Sequence, residues 1–183
     1  MKTPKPKTCR ECGNKFIPLR PLQSVCDYKC AHERTRKREQ KRVELARVQQ
    51  RKADVEKLMT KGEWLKLAQS VFNTWIRLRD SGRPCISCNC DMSTRKGDAS
   101  HFYSTTYSAL RFEPDNVHLS CVPCNQYLSG NIHEYRPRLI KKIGMARVKW
   151  LDDHAHDKFE ITIPEIKELI TEYRQKIKQL KTN

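Results

Sequence analysis

The chain has 183 residues, of which 37% are hydrophobic and 32% charged, and its formal net charge is +16. That length suits one moderate domain or two small ones joined by a helix, with little apolar material for a large core. We find no secretory signal and no run of about 18 apolar residues of the kind that spans a membrane, so we expect a soluble cytoplasmic protein with neither a membrane nor a small molecule as its partner.

The positive charge is concentrated in the first third of the sequence. Residues 1–52 contain 16 Lys and Arg but only 5 Asp and Glu, which places +11 of the net charge there. Such a run is often only a solvated basic face. Binding to a membrane surface is less favoured, because an interfacial helix needs a stronger apolar side than this segment has. Each cation that neutralises a phosphate releases a counterion, so the arm favours a nucleic acid as partner.

Residues 1–30 form the first predicted module, which is organised by cysteines. Four thiolates at the spacing C-x2-C-x13-C-x3-C can close a tetrahedral zinc site, and these are Cys9, Cys12, Cys26 and Cys30. Phe16, Ile17 and Val25 are the residues expected to supply its few apolar contacts. Unliganded thiols would leave the segment almost without a core, so we predict a structural zinc ion here.

Residues 31–80 read as a basic helical arm followed by a packing helix. The arm is polar nearly all round, which is typical of a helix that faces solvent or DNA. A break is expected around 60–62, and an apolar face at helical spacing then runs from Trp64 to Leu78. That helix should pack on the next module or on a partner subunit. The cations assigned to DNA contact are Arg34, Arg36, Lys37, Arg38, Lys41 and Arg42.

Residues 81–151 contain a second cysteine set with the spacing C-x2-C-x32-C-x2-C. Two matched CxxC pairs indicate a zinc site of the treble-clef or ribbon kind, and its ligands are Cys85, Cys88, Cys121 and Cys124. A closed four-cysteine site leaves no position for substrate, so this zinc is predicted to be structural. Cys90 is expected to be a bystander, because Cys88 completes the better knuckle.

The 32-residue insert between the pairs contains the residues best suited to chemistry. Binding loops fixed to a rigid staple commonly carry catalytic groups, and the candidates are His101, Asn116 and His118, with Asn125 directly after the last cysteine. Each has a plainer alternative. His101 and His118 could be packing residues, Asn116 more naturally bridges the loop through its side chain, and Asn125 could be a helix N-cap.

Two further helical pieces separated by Gly144 are expected after the insert, and His154 and His156 read as part of a polar turn. Residues 152–183 end in an amphipathic helix that starts with the capping-box pattern Thr162-x-x-Glu165. This helix is structural or a dimerisation surface. The whole chain is therefore predicted to be mainly α with a small β component.

The order of these motifs resembles a known group of nucleases. The pattern C-x2-C … D-x-x-H … N-x-H … C-x2-C-N resembles the HNH or ββα-metal endonucleases, especially phage junction-resolving enzymes with a four-cysteine zinc site. The stretch ASHF … RFEPDNVHLSCVPCNQYLSGN, with EYRPRLIKKIG downstream, is similar to the NinG (Rap) recombination proteins of lambdoid bacteriophages. The resemblance implies a phage-encoded, structure-specific endonuclease that cleaves Holliday junctions or D-loops in the bacterial cytoplasm.

The resemblance also assigns roles to residues. His101 would be the general base, since neutral histidine is well matched to a proton transfer near pH 7. Asn125 would bind a catalytic Mg²⁺ or Mn²⁺, which offsets charge on the scissile phosphate. Arg111, Asn131 and His133 are weaker candidates for phosphate contacts. Cutting both strands of a junction symmetrically needs two active sites, so a homodimer is expected, with the helices at 62–79 and 164–181 as candidate interfaces.

Ser100 departs from the junction-resolving pattern, in which an aspartate ligand precedes the histidine. One resolution is a site like that of the non-specific ββα-metal nucleases, in which Asp98 orients the site or binds through water. The other recruits His118 as a ligand or phosphate contact. Two rival functions also stay open, namely a zinc-stabilised DNA-binding recombination accessory protein without hydrolytic activity and an RNA-binding zinc protein.

Overall fold

The computed structural model describes residues 5–182 and divides into two compact units between Met59 and Thr60. The first unit holds the antiparallel pair β1 (Lys7–Thr8) and β2 (Lys15–Phe16), followed by α1 (Tyr28–Leu58). The second holds α2 (Lys61–Arg79), β3 (Gly97–His101), β4 (Val117–Cys121), α3 (Ile132–Ile143), α4 (Met145–His154) and α5 (Ile163–Thr182). The prediction of a mainly helical chain with small sheets is confirmed.

The first unit has almost no apolar interior. Between residues 5 and 59 only Cys9 and Pro18 are buried, and α1 buries no residue along its 31-residue length. The polar character predicted for this helix is confirmed. Ile17 was expected in the core, but the side chain is 63% exposed, because so short a hairpin has no second layer to cover it. The Asp27 side chain caps α1 by accepting a hydrogen bond from the Cys30 backbone N–H at 2.8 Å.

In the second unit, α2 and α5 pack against each other. Their apolar faces meet through T-shaped contact of Phe72 with Tyr173, whose ring centroids are 4.9 Å apart. The predicted capping box at Thr162 and Glu165 is present, and an equivalent box at Thr60 starts α2. The faces of α2 and α5 that the sequence offered as dimer interfaces are therefore covered within the same chain. Their buried residues are Trp64, Ala68, Phe72, Ile76, Ile166, Ile170 and Tyr173.

A second apolar cluster lies under α3 and α4. Tyr135 and Leu139 from α3 pack with Val148 and Leu151 from α4, and all four are fully buried. Gly144 separates the two helices with a φ of +85°, a conformation that glycine adopts at little cost. The predicted interruption at this glycine is confirmed. Among residues 5–182, none of the helices combines the length and apolar character that crossing a bilayer requires.

The strands β3 and β4 form an antiparallel pair in which His101 lies opposite Val117 and Asp98 lies opposite Ser120. Every residue of β4 is buried, so the backbone groups on its outer edge need partners from within the protein. The Val117 carbonyl accepts from the Arg79 guanidinium at 2.8 Å. The Leu119 N–H donates to the Asp80 carboxylate at 3.1 Å.

Asp80 is the centre of a buried ionic network, with 1% of its surface exposed. Its carboxylate accepts two hydrogen bonds from Arg79, at 3.0 and 2.8 Å, and lies 3.4 Å from the Lys142 ammonium. Burial raises the pKa of Asp80, but the hydrogen bonds and charge of Arg79, together with Lys142, lower that pKa to about 2. The network therefore joins the end of α2 to β4 and α3.

We predict that Asp80→Asn lowers the free energy of unfolding by about 3 kcal/mol, because it removes the buried carboxylate that neutralises two partly buried cations, Arg79 and Lys142. Urea denaturation of the zinc-loaded protein at pH 7 measures the change. The control is Glu172→Gln, which removes an exposed ion pair on α5 and should cost less than about 0.5 kcal/mol. A loss below about 1 kcal/mol in Asp80→Asn would contradict the role given to the network.

Candidate functional site

The first cysteine cluster has the geometry of a zinc site. The thiol sulfurs of Cys9, Cys12, Cys26 and Cys30 all lie within 4.8 Å of one another. The Cys12–Cys26 and Cys26–Cys30 sulfur distances are 3.7 and 3.5 Å. A tetrahedral ion with Zn–S bonds of about 2.3 Å requires sulfur–sulfur edges of about 3.8 Å. Four soft sulfur donors at this separation fit zinc.

The second cluster consists of Cys85, Cys88, Cys121 and Cys124, whose sulfurs also lie within 4.8 Å of one another. The Cys88–Cys121 sulfur distance is 3.7 Å, again close to a tetrahedral edge. The Cys121 N–H donates to the Cys85 sulfur at 3.3 Å, and such hydrogen bonds favour the thiolate form. Cys90 lies outside this set, with its thiol 3.9 Å from the Met92 sulfur.

Asn131 belongs to the surroundings of this zinc site. It precedes α3 in a left-handed conformation, with φ +49°, and Ser129 and Gly130 before it also have positive φ. The Asn131 side-chain amide lies 3.8 Å from the Cys124 sulfur as a donor. Amide donors around ligating sulfurs orient the ligands. The sequence assigned Asn131 to DNA contact, and in the fold its amide is directed at the Cys124 sulfur.

His101 ends β3 and is held by the backbone of Arg111. Its Nε2 lies 3.2 Å from the Arg111 carbonyl oxygen and 3.5 Å from the Gln69 amide nitrogen. A carbonyl can only accept, so the shorter contact requires the proton on Nε2 and leaves Nδ1 as the acceptor. The Gln69 amide nitrogen is itself a donor, so it makes no hydrogen bond to the protonated Nε2. Among residues 5–182, no hydrogen bond engages Nδ1. Burial lowers the pKa of His101 below its ordinary value, so the ring is neutral at pH 7.

The His101 surroundings are braced from the α2 side. The Arg111 Nε donates to the Gln69 carbonyl oxygen at 3.0 Å, and the Gln69 amide donates to Asn73 at 2.8 Å. Arg111, which the sequence assigned to phosphate contact, thus accepts a hydrogen bond from His101 through its carbonyl and donates one to Gln69 of α2 through its guanidinium. This chain of contacts fixes the position of the Arg111 carbonyl, and with it the ring orientation of His101.

Asp98 lies on the other face of β3, since alternate residues of a strand point to opposite faces. One of its carboxylate oxygens accepts from the Asn125 amide at 3.0 Å and from the Gln126 amide at 2.8 Å. Asn125 belongs to the single π-helical turn Pro123–Tyr127 that follows β4. The arrangement leaves the second Asp98 oxygen and the amide oxygen of Asn125 available as hard donors, and Mg²⁺ prefers such donors.

The structure therefore brings Asp98 and Asn125 together and keeps His101 apart from them. Asp98 and His101 are three residues apart on one strand, about 10 Å along the chain direction, and they face opposite sides of the sheet. Within the part of the chain that is described, no hydrogen bond joins His101 to Asn125. The candidate site thus has two parts, a neutral histidine and an oxygen-donor cluster.

Ser100 and His118 lie on the same face of the sheet as Asp98 but inside the core, each 1% exposed. The Tyr135 hydroxyl donates to the Ser100 carbonyl at 3.1 Å and lies 3.2 Å from His118 Nδ1. Burial, with the nearby charges of Lys142 and Arg79, lowers the pKa of His118 to about 3. A neutral, enclosed His118 favours the resolution in which Asp98 supplements Asn125. The Ser100 hydroxyl is buried and has no hydrogen-bond partner among the described residues.

Asn116 bridges the insert, as expected from the sequence. Its side-chain oxygen accepts from the Tyr103 N–H at 2.8 Å. Its amide donates to the carbonyls of Tyr103 at 2.8 Å and Leu110 at 2.9 Å. Asn116 is completely buried. Its three hydrogen bonds fix the path of the loop that supplies the Arg111 carbonyl to His101.

The basic side chains of α1 are mostly exposed, and half of the six assigned to DNA already have carboxylate partners. Arg36, Lys37 and Arg42 form ion pairs with glutamates of the first unit. Arg38 and Lys41 are exposed and have no ion pair among residues 5–182, whereas Arg34 is half-buried. Elsewhere, His133 is exposed on α3. His154 ends α4, stacked on Trp150 with the ring centroids 4.2 Å apart, and only His156 occupies the turn expected for both.

Sequence reasoning missed several residues of this site. Gln69 and the Arg79–Asp80 pair were assigned only to a packing helix, and nothing local distinguishes them, because their partners lie about 40 residues away. Gln126 was also missed. Its position beside Asn125 was the available signal, since neighbouring residues in a turn can reach the same carboxylate.

Comparisons with known proteins agree on one family. The family described as "Bacteriophage Lambda NinG protein" matches residues 1–183. Protein ninG of Escherichia phage lambda is 41% identical over 128 residues, and that of Salmonella phage P22 is 42% identical over 126. These matches cover 69% and 68% of this chain and 61% of each relative, so the chain spans about three fifths of the relatives' length. No solved structure gives a significant match.

We predict that the protein binds two zinc ions, and that Cys12→Ser or Cys124→Ser each removes one of them. Cys90→Ser is the matched control and should retain both, because Cys90 lies outside either ligand set. Metal analysis by mass spectrometry after desalting measures the stoichiometry. Loss of an ion in Cys90→Ser, or two ions retained in Cys124→Ser, would contradict the ligand assignment.

Proposed function

The chain belongs to the NinG family, and from that premise we propose that it is a metal-dependent, structure-specific endonuclease acting on branched DNA in phage recombination. Its HNH-like character rests on β3, β4 and the following π-helical turn, which carry His101 and Asn125 in the order that ββα-metal nucleases use. The substrates would be four-way junctions or D-loops. Both zinc ions would be structural, because each cysteine set already provides four ligands.

The observation that supports hydrolysis most directly is the hydrogen bond from His101 Nε2 to the Arg111 carbonyl, 3.2 Å long. It orients a neutral imidazole so that Nδ1 can accept a proton from water. A histidine with a lowered pKa is deprotonated at neutral pH, as a general base must be.

The oxygen donors of Asp98 and Asn125 fit a hard divalent cation. Mg²⁺ keeps several water ligands and needs only one or two protein oxygens, so this small set is sufficient. A bound Mg²⁺ or Mn²⁺ would neutralise charge on the phosphate and the leaving oxygen. Asp98 would keep the Asn125 amide oriented through its 3.0 Å hydrogen bond.

The protein's own residues would divide the reaction between them. His101 Nδ1 would take the proton of the attacking water, while the Arg111 carbonyl holds the ring through Nε2. Asn125 would supply its amide oxygen to a bound cation on the other side of β3. Cleavage would therefore require one scissile phosphate to lie within reach of both His101 and the bound cation.

Binding of branched DNA would depend mainly on phosphate contacts. Arg38 and Lys41 on α1 are exposed cations without carboxylate partners among the described residues, and contacts of this kind position DNA without reading sequence. Symmetric cutting would require a homodimer. Because α2 and α5 cover each other's apolar faces, we propose that the two copies meet through other surfaces.

A non-catalytic DNA-binding accessory protein is the second candidate. It is favoured by Ser100, which stands where an aspartate ligand is expected, and by the lack of contact between His101 and Asn125. Cleavage assays separate the two proposals, since an accessory protein would bind four-way junctions without cutting them in either Mg²⁺ or Mn²⁺.

We predict that His101→Ala lowers the cleavage rate of a labelled four-way junction by about 100-fold to 10,000-fold, the usual contribution of a general base. The assay uses zinc-loaded protein with added Mg²⁺ or Mn²⁺. Junction affinity measured without added divalent cation should stay within about threefold of wild type, because the imidazole is not a phosphate anchor.

The matched control is His156→Ala, which removes an exposed histidine outside the site and should cut at the wild-type rate. Cleavage by His101→Ala at that same rate would exclude the base assignment. A wild-type protein that binds junctions but never cuts them would favour the accessory function.

We predict that the cleavage rate rises by up to about tenfold per pH unit in acid and then becomes constant, with a midpoint below the ordinary histidine pKa of about 6.5. The rate should increase with pH because His101 acts as a base only when it is neutral. Its neutral fraction grows until the pH exceeds the His101 pKa, which burial lowers. Single-turnover rates between pH 5 and 8 measure the profile. A rate that still climbs above pH 7.5 would assign proton transfer to another group.

A further inference from the structure

A basic cavity of about 280 Å³ lies in the second unit, between the segment that follows α2 and the C-terminal half of α3. Four cationic side chains line it, and no carboxylate does so among the described residues. These side chains are Arg83, Arg138, Lys141 and Lys142. None of them takes part in the contacts of His101 or of Asp98.

The positive charge of this cavity is only partly neutralised. Lys142 lies 3.4 Å from Asp80, but that carboxylate also holds Arg79. Arg138 lies 3.8 Å from Glu134, a distance too long for a good hydrogen bond. Arg83 and Lys141 form no ion pair with any described residue. The cavity therefore has excess positive charge in a partly enclosed space, which attracts anions.

Arg138 also has an unsatisfied donor. Its Nε is buried and has no hydrogen-bond partner among residues 5–182. Leaving a buried donor without a partner costs about 1–3 kcal/mol, so such groups in native proteins generally have a ligand or ordered water. Since the Nε itself is closed to solvent, a phosphate oxygen entering the cavity would contact the terminal guanidinium nitrogens of Arg138, whose side chain is 35% exposed.

The end of a helix explains only part of this arrangement. Lys141 and Lys142 would stabilise the C-terminus of α3 through the helix dipole in any case. Arg83 comes from a different segment, two residues before the zinc-ligating Cys85, and converges on the same cavity. Cations from two segments, one of them anchored by a zinc knuckle, make a site that is built before a ligand arrives.

We propose that this cavity binds a phosphate group of the DNA backbone at a point away from the cleavage site. The inference rests on the proposed function for its choice of DNA as the polyanion. A branched substrate has arms that leave the cutting point in different directions, and this contact would hold one of them. It would fix the register of the DNA without reading its sequence.

The test compares two triple variants that remove the same amount of charge. Arg83→Gln, Arg138→Gln and Lys141→Gln empty the cavity of cations, while Lys142 is kept because it stabilises Asp80. The control removes exposed cations of α5 through Arg174→Gln, Lys178→Gln and Lys181→Gln. Zinc content and thermal unfolding of both variants verify that the fold is retained.

Affinity for a four-way junction is measured at several salt concentrations without added divalent cation. We expect the cavity variant to bind at least tenfold more weakly at about 0.1 M salt, with a slope of log K against log salt that is smaller by about 1–3. The control variant should bind within threefold of wild type. If the cavity variant misfolds, Lys141→Gln alone, at an exposed position, should lower the slope by about 1.

A second measurement tests whether the cavity itself binds a phosphate group. Inorganic phosphate should raise the melting temperature of wild type more than chloride at equal ionic strength, and this difference should vanish in the cavity variant. Unchanged junction affinity in the cavity variant, equal losses in both triple variants, or a loss seen only with structured RNA would each overturn the proposal. Junction binding without cleavage would instead count against the nuclease function alone.

Discussion

The second unit depends on how the outer edge of β4 is completed. The strand is buried along its whole length, yet the sheet has only two strands, so no third strand is present to pair with it. Arg79 and Asp80 supply a donor and an acceptor to that edge, and the Ile86 N–H donates to the Leu119 carbonyl at 3.0 Å. A buried, unpaired backbone group costs about as much as a lost hydrogen bond, so these contacts largely decide whether the strand can be buried at all.

The same contacts position the candidate site. Asp80 is bound by Lys142, which joins α3 to the strand, and Ile86 lies next to Cys85, a candidate zinc ligand. β4 then leads into the π-helical turn with Asn125 and pairs with β3, which carries Asp98 and His101. Because the two faces of β3 are packed against different elements, α2 supports the histidine and the turn supports the oxygen donors. Because the spacing D-x-x-H separates Asp98 from His101 by three residues on one strand, it places their side chains on opposite sides of the sheet.

Features set by local spacing could be predicted from the sequence, and features set by distant partners could not. The cysteine sets, the break near residue 60, the helix interruption at Gly144 and the capping box at Thr162 all depend on residues a few positions apart. The box at Thr60 and Glu63 has the same T-x-x-E pattern and could have been predicted. The Asp80 network joins residues 39 and 62 positions apart, and the Arg111 contact to His101 uses a backbone carbonyl, which no side-chain pattern reveals.

The near absence of a core in the first unit has a consequence for how its folding depends on the cell. With only Cys9 and Pro18 buried between residues 5 and 59, the free energy that orders this unit would come chiefly from metal binding. Each tenfold fall in free zinc would then cost the unit about 1.4 kcal/mol, whereas the second unit has apolar clusters of its own. A shortage of zinc would accordingly unfold the first unit, with its basic helix, before the second. A host cell low in zinc would then hold protein whose first unit is unfolded while its second unit keeps its fold.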